Sequence, residues 1–170
     1  IDRVYDQKTV GGYTWNQKMV GNGTTAARTI TMNDSRYDLT SGKITQDTSA
    51  DTTFTVPAGS YPYTVNVNET QGNWDATSVS MKDTLTPNDK MEYTGYVKVE
   101  AREYNPDSSN TDKYEVIETK WVKIDKLTEF TLKPSELGWT DKNYAYKFTY
   151  YATPKNTGTF SSAVVNNKFT

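Results

Sequence analysis

The chain contains no cysteine and no histidine among its 170 residues. Without cysteine there is no disulfide, no thiolate metal site and no cysteine nucleophile. Without histidine there is no imidazole to serve as a general base near neutral pH. These two absences exclude most familiar catalytic centres. We therefore expect no conventional enzyme active site and no cofactor.

The sequence also lacks a strong charge of either sign and a long apolar run. The net charge is −2, and acidic and basic residues are mixed along the chain. Such a chain offers no basic face for a nucleic acid and no polybasic cluster for an anionic membrane. No apolar stretch is long enough to cross a bilayer, and no leader-like segment is evident. We therefore expect neither nucleic acid nor membrane as a partner, and we expect any export or anchoring signal outside this segment.

Aromatic residues compensate for a low content of aliphatic ones. Hydrophobic residues make up only 34% of the chain, but aromatic residues reach 13% and tyrosine alone occurs 13 times. Tyrosine supplies a large apolar ring with a polar tip, and threonine and valine are also frequent. β-Branched and aromatic side chains suit the pleated surface of a sheet. The composition therefore predicts an all-β protein.

Alternating polarity predicts seven strands from residue 54 onward, a number that suits a β-sandwich. A loop at Asn105–Asp112 and a short helical turn at Lys133–Leu137, ended by Gly138, interrupt them. The first 40 residues are interpreted as additional strands of the same unit, so that 1–170 form one domain with an N-terminal extension (1–40) and a core (41–170). The seven predicted strands are Tyr61–Val67, Thr77–Leu85, Tyr93–Tyr104, Tyr114–Ile124, Leu127–Leu132, Tyr144–Thr153 and Ala163–Phe169.

Three polar residues occupy positions that should face the interior. Asp83 alternates with apolar residues such as Leu85, and Asn167 alternates with apolar residues such as Val165. A strand is also predicted at Val4–Val10, and Lys8 has even spacing to both of these valines, so it also falls on the inner side. Buried polar groups are costly unless they are paired. We therefore expect these three side chains to pair with one another.

An amine, an acid and a carboxamide in an apolar interior can react. Desolvation disfavours both charges, so a neutral Lys8 amine can attack the Asn167 carboxamide while Asp83 shuttles protons and ammonia leaves. The product is an intramolecular isopeptide bond, which by analogy with a disulfide closing a long loop stabilises by about 4–5 kcal/mol. The alternative interpretation makes Asp83 a strand-end residue bonded to turn amides, Asn167 a solvated edge residue and Lys8 a surface lysine.

Several short motifs stand out in the predicted strands. They are YPYTVNVN at Tyr61–Asn68, VSMKDTL at Val79–Leu85, and YKFTYYAT at Tyr146–Thr153 followed by VNN at Val165–Asn167. Together they resemble the A-type collagen-adhesin domains of Gram-positive surface proteins. The resemblance covers about residues 54–170 and implies an immunoglobulin-like β-sandwich, here with additional N-terminal strands. In that family a lysine of the first strand is linked to an asparagine of the last, assisted by an aspartate.

The resemblance implies roles for individual residues of this chain. It makes Asp83 the assisting acid and Asn167 the acceptor, with its neighbour Asn166 as an alternative. Lys8 lies further from Asp83 than the family pattern leads us to expect, and Lys43 is nearer to that spacing but has a weaker inward alternation. We favour Lys8, because the two ends of the chain then become the two ends of the crosslink.

The function implied is that of a structural or adhesive module of a bacterial adhesin or pilus-type protein. Such a module is extracellular and anchored to the cell wall through a region outside this segment. Its expected partners are a host extracellular-matrix protein or glycan and the neighbouring domains of the same surface protein. Catalysis would be limited to a single self-crosslinking turnover.

A carbohydrate-binding module of a secreted protein is the alternative function. Trp15, Trp74, Trp121 and Trp139, together with tyrosines, offer rings on which a sugar can stack. In a chain poor in leucine, such rings also serve as core filling. Two coplanar exposed rings on one sheet face would favour carbohydrate binding.

Two further candidates are weaker. The loop Asn105–Asp112 has oxygen ligands of the kind that calcium uses, with Asp107 and Asp112 as its carboxylates, but the same residues are typical of an exposed turn. Glu115 and Glu118 are the candidate pair for an acid–base enzyme. Because they are three apart on a predicted strand, they are expected to face opposite sides, which is poor geometry for shared catalysis.

Overall fold

The computed structural model describes most of the chain, and every regular element in the described residues is a β-strand. The described residues are 5–10, 13–19, 26–32, 35–38, 43–45, 53–69, 71, 80–86, 91–124, 126–139, 143–154 and 166–169. The strands are β1 (Tyr5–Val10), β2 (Tyr13–Met19), β3 (Arg28–Thr31), β4 (Ser35–Asp38), β5 (Lys43–Thr45), β6 (Thr53–Val56), β7 (Tyr61–Val67), β8 (Met81–Thr86), β9 (Met91–Tyr93), β10 (Tyr96–Tyr104), β11 (Tyr114–Lys123), β12 (Glu129–Leu132), β13 (Ala145–Pro154) and β14 (Asn166–Phe169). The predicted all-β class is thereby confirmed.

The strands form where apolar and polar residues alternate. In β10 the side chains of Val97, Val99 and Ala101 are fully buried, while those of Lys98 and Glu100 between them are only partly buried. Successive side chains of a strand point to opposite faces, so this pattern buries one face of β10 and leaves the other partly open. The inward face of β10 is the centre of the core.

Most strands belong to one large sheet. Its order is β1-β2-β7-β13-β10-β11-β4-β5, and the short strand β9 pairs with the end of β13. All of its ladders are antiparallel except the pairing of β4 with β11, which is parallel. The N-terminal strands extend this sheet at both of its edges, because β2 pairs with β7 and β4 pairs with β11.

A three-stranded sheet of order β12-β8-β14 covers the inward face of the large sheet. Aromatic rings join the two. The Phe130 ring of β12 lies 5.1 Å from that of Tyr93, 5.6 Å from that of Tyr150 and 6.5 Å from that of Phe148. Edge-on and tilted ring pairs of this kind add to the stabilisation from area burial. The hydrophobic core therefore lies between the two sheets.

The two-stranded sheet β3–β6 lies against the opposite face of the large sheet. Phe54 of β6 packs on Tyr96 and on Trp121, with ring centroids 5.1 and 5.7 Å apart. Arg28 of β3 donates a 3.4 Å hydrogen bond to the Tyr151 hydroxyl. Among the described residues, these contacts cover one end of the outer face and leave the other end open.

The predicted strands agree with the structure where both can be compared, with local differences. The loop after Tyr104 and the return strand from Tyr114 are confirmed. The predicted strand Tyr93–Tyr104 is interrupted by Thr94 and Gly95, where Gly95 has a φ of 106° that favours glycine, so β9 and β10 are separate. Strands β4, β5 and β6 were not predicted. Residues 77–79 and 163–165 of the predicted strands lie outside the described residues.

The predicted turn before Gly138 is confirmed as a tight turn. Glu136 N donates to Lys133 O at 3.0 Å, and Trp139 N donates to Pro134 O at 2.9 Å. Gly138 has a φ of 81°, a left-handed conformation in which a Cβ atom is disfavoured. The turn directs Trp139 into the core, where its ring stacks on Tyr146 at 5.6 Å. No helix in the described part of the chain is long and apolar enough to span a membrane.

Candidate functional site

Asp83 lies on the inward face of β8 in the middle of the core. Its exposed fraction is 0%, and its neighbours on the same face, Met81 and Leu85, are also buried. The intervening Lys82 points to solvent. A fully buried carboxylate requires specific partners, because transfer of a charge from water to an apolar interior is strongly unfavourable. The predicted inward position of Asp83 is thus observed, and its interpretation as a strand-end residue is wrong, because it lies within β8.

Two tyrosine hydroxyls hold the Asp83 carboxylate. Tyr93 of β9 donates to Oδ2 at 2.5 Å, and Tyr150 of β13 donates to Oδ1 at 2.9 Å. Both donors belong to the opposite sheet, so the hydrogen bonds cross the core. Hydrogen bonds from neutral donors to a carboxylate are shorter and stronger than those between neutral groups. Asp83 is therefore fixed in orientation at the centre of the protein.

The surrounding phenols remain protonated over the physiological pH range. Burial is the main cause that raises the pKa of Tyr93, and the charge of Asp83 and the hydrogen bond to it raise that pKa further. Burial, followed by the charge of Asp83, raises the pKa of Tyr63 to about 12. The Tyr63 ring stacks on that of Tyr150 at 5.7 Å. Tyr63 and Tyr93 thus stay protonated, and together with Tyr150 they form an aromatic wall on the large-sheet side of Asp83.

Sequence reasoning did not identify these tyrosines as part of the site. The signal that was available is the alternation of their strands, which places Tyr93 and Tyr150 inward. Alternation specifies the face of a strand, but it does not specify which residue lies across the core.

The backbone places Asn167 beside Asp83 in the same sheet. Strand β14 pairs with β8 in an antiparallel ladder in which Asn167 lies opposite Leu85, Asn166 opposite Thr86 and Phe169 opposite Asp83. Directly opposite residues share a face of the sheet. The register position of Asn167 is therefore on the buried face of Leu85 and Asp83, and that of Asn166 is on the other face.

The two candidate lysines lie on strands of the large sheet. Lys8 of β1 is opposite Trp15, which is opposite the buried Val67, so its register position is on the core face. Lys43 of β5 is opposite Asp38, which pairs in turn with the exposed Lys123, so its register position is on the outer face. Neither β1 nor β5 is paired with β14 among the described residues.

The tryptophan platform is not formed by the two tryptophans whose side chains are described. Trp121 is buried beneath Phe54, and Trp139 is buried against Tyr146 and donates a 3.1 Å hydrogen bond to Glu118. These two rings fill space within the protein, as the low leucine content requires. Trp15 lies opposite Val67 in the register of β2 and β7, and position 74 lies outside the described residues.

In the loop after β10, the Asp112 carboxylate and the Asn105 side-chain oxygen accept hydrogen bonds from nearby backbone amides. Asp112 accepts a 3.0 Å hydrogen bond from Tyr114 N and lies 3.7 Å from the Arg102 guanidinium. Asn105 accepts a 3.0 Å hydrogen bond from Asp107 N. Within the described ranges no group of three acidic residues is placed to hold a metal ion. The loop is thus a self-bonded turn.

Glu115 and Glu118 lie on the same face, not on opposite faces. Glu118 pairs with Ala101, but Arg102 pairs with Val116, so β11 carries one extra residue at this point. A β-bulge of this kind shifts the alternation by one position. The expected opposite orientation is therefore wrong. Glu118 nevertheless has a structural partner, since its carboxylate accepts a 2.5 Å hydrogen bond from Lys120.

Among the described residues, the groups that are best placed to take part in a reaction lie around Asp83. The centre combines a buried carboxylate, protonated phenol donors and, at two register positions from Asp83, a carboxamide residue. A carboxylate in such surroundings can accept a proton and return it within a dry interior. Comparison of the chain with protein-family models, curated proteins and solved structures found no match.

Proposed function

We propose that the chain is a structural or adhesive module of a bacterial surface protein, with an immunoglobulin-like β-sandwich fold and an intramolecular Lys–Asn isopeptide bond. The observation that carries this proposal is the fully buried Asp83 on β8, two register positions from Asn167 on the adjacent strand β14. Burial of a carboxylate in the core costs stability that its hydrogen-bond partners must offset, and a function would explain why such a group is present. Promotion of amide formation is a role that suits its surroundings.

The proposed reaction balances without a cofactor. The Asp83 carboxylate takes a proton from the lysine ammonium, and the free amine attacks the side-chain carbonyl carbon of Asn167. The protonated Asp83 then hydrogen-bonds the developing oxyanion. The new C–N bond forms as the C–NH₂ bond breaks, and the leaving nitrogen departs as ammonia with a proton from the attacking amine. Tyr93 and Tyr150 hold Asp83 in place during these steps.

The strand order is compatible with a lysine donor from either edge of the large sheet. Among the described residues β14 is paired on one side only, with β8, and β1 and β5 are each paired on one side only. The unpaired side of β14 is where a strand that carries the donor lysine would lie. The core-face register of Lys8 supports it over Lys43 as the donor.

The proposed setting is extracellular, with anchorage to a Gram-positive cell wall through a region outside this segment. When the chain is pulled at its two ends, a bond between the first and last strands carries the force covalently. The hydrogen-bonded core between them is then not stretched. This property suits a chain without cysteine, which has no disulfide for the same purpose. The proposed partners are the neighbouring domains of the same protein and a host matrix protein or glycan.

The test is the intact mass of the purified protein followed by peptide mapping. The crosslink removes one ammonia from the calculated mass and yields a branched peptide that joins Lys8 or Lys43 to Asn167. The mapping is essential, because the Asn22-Gly23 dipeptide can also lose ammonia through a succinimide. Asn167→Ala and Asp83→Ala should each abolish the branched peptide, whereas Asn105→Ala, in an exposed loop, should retain it.

Two results would contradict the proposal. One is a wild-type protein with the calculated mass and no branched peptide after prolonged incubation. The other is a branched peptide that persists in Asp83→Ala at the wild-type yield, because the bond would then form without the acid. A branched peptide that contains Asn166 in place of Asn167 would move the acceptor by one position.

A further inference from the structure

A polar cleft of about 480 Å³ opens on the outer face of the large sheet, on the side away from Asp83. Strands β10 and β13 contribute Glu100, Arg102 and Lys147, and the loop between β10 and β11 contributes residues that include Thr111 and Asp112. The volume lies within the range of about 300–1,000 Å³ that is usual for small-molecule sites. The β3–β6 sheet covers the other end of this face.

Arg102 is a fixed donor in the wall of the cleft. Its exposed fraction is only 3%, and its guanidinium lies 4.6 Å from the centre of the Tyr114 ring. It donates a 3.3 Å hydrogen bond to Asn66 and lies 3.7 Å from the Asp112 carboxylate. Its Nε atom has no hydrogen-bond partner among the described residues. The guanidinium is therefore held in one orientation in the wall of the cleft.

The loop that forms the rim of the cleft is held by its own hydrogen bonds. Asn105 N donates to Lys113 O at 2.7 Å, and Lys113 N donates to Asn110 O at 3.1 Å. The Lys113 ammonium donates to Ser108 O at 2.9 Å, and the Asn110 side chain donates to Tyr114 O at 2.6 Å. A preorganised loop loses little conformational entropy when a ligand binds. The rim is thus suited to recognition.

The lining has no net charge and combines donors with acceptors. Two acids, Glu100 and Asp112, and two bases, Arg102 and Lys147, are interspersed with hydroxyl and amide groups. An anionic ligand would meet the acids and a cationic ligand would meet the bases. A hydroxyl group both donates and accepts hydrogen bonds, so a neutral polyol matches both kinds of lining group.

An apolar surface lies at the edge of the same cleft. The side chain of Val116, which lines it, is 46% exposed, and Tyr104 nearby on the same hairpin is 56% exposed. A sugar ring has an apolar face of C–H groups between polar hydroxyl edges, and it suits a site with one apolar contact and many polar ones. We propose that this cleft binds a neutral oligosaccharide. The site does not depend on the self-crosslink.

The test is a titration of ¹⁵N-labelled protein with neutral oligosaccharides, followed through its amide NMR spectrum. Lactose, N-acetyllactosamine and maltotriose serve as probes, and glucuronic acid and spermidine serve as anionic and cationic comparisons. Saturable shifts are expected at the amides of the cleft, with affinities on the order of 1 mM. Lys147→Ala and Thr111→Ala should each weaken the binding about three- to tenfold through the loss of one hydrogen bond.

Lys123→Ala is the matched control for Lys147→Ala, because Lys123 lies exposed at the other end of β11. It should leave the affinity unchanged. Three outcomes would overturn the proposal: no saturable shift with any neutral probe at about 20 mM, saturable shifts confined to amides away from the cleft, or binding of glucuronic acid or spermidine alone. Folding of each variant is checked from the dispersion of the same spectra.

Discussion

The hydrogen bond from Tyr93 to Asp83 should be a major local contribution to stability, and Tyr93→Phe tests this. The substitution removes only the hydroxyl that donates to Oδ2 at 2.5 Å, whereas Tyr150 still donates to Oδ1 at 2.9 Å. Loss of a hydrogen bond to a charged group costs about 1.5–3 kcal/mol. For a protein of this size each kcal/mol lowers Tm by about 2–4 °C. The expected decrease in Tm is therefore about 3–12 °C.

The assay is thermal unfolding followed by circular dichroism in an Asn167→Ala background, where the proposed isopeptide bond cannot form. This background separates the hydrogen bond from any effect on crosslinking. Tyr104→Phe is the matched control, because the Tyr104 side chain is more than half exposed, and it should change stability by less than about 0.5 kcal/mol. If Tyr93→Phe unfolds at the temperature of the control, the argument for a stabilised carboxylate in the core is refuted.

Two other predictions concern the outer parts of the core. Burial alone would raise the pKa of Glu118, but hydrogen bonds from Lys120 and Trp139 outweigh burial and lower it below 4.5. The ionised Glu118 therefore stabilises the fold above about pH 4.5, and this contribution is lost as pH falls through the folded-state pKa. Glu118→Gln should accordingly lower Tm more at about pH 7 than at about pH 3. Equal decreases in Tm at the two pH values would contradict this. Phe54→Ala should uncover Trp121 and shift its fluorescence to longer wavelength. It should also lower the free energy of unfolding by about 1.5–3 kcal/mol. Unchanged emission would show that β6 does not cover this ring.

The local structure of the chain was largely accessible from its sequence, because alternation of apolar and polar residues directly reflects one buried face. This is why the hairpin of β10 and β11 and the inward position of Asp83 were predicted. Pairing between distant strands leaves no such local trace. The parallel ladder of β4 with β11 and the pairing of β2 with β7 join segments far apart in the chain, and no residue pattern indicated them.

The residues around Asp83 show the same difference between a local pattern, which the sequence reveals, and a contact between distant strands, which it does not. The sequence identified Asp83 as an anomalous acid in an apolar row, but it could not identify Tyr93 and Tyr150, which approach from the opposite sheet. The prediction that Glu115 and Glu118 face opposite sides was wrong because a bulge adds one residue to β11. A bulge depends on the pairing of two strands, which the sequence of one strand does not show. The polar cleft was missed for a similar reason, since its residues come from two strands and a loop.

The turn after β7 links three chain segments at one end of the molecule. Asn68 and Gln71 both have positive φ values, 56° and 50°, and Gln71 accepts a hydrogen bond from Tyr104 N while it donates another to Asn143 O. The Tyr114 hydroxyl donates to Glu69 O. The hairpin end and the segment before β13 should therefore open together as one cooperative unit in hydrogen exchange. The amide of Tyr104, although at the end of its strand, should exchange as slowly as that unit opens.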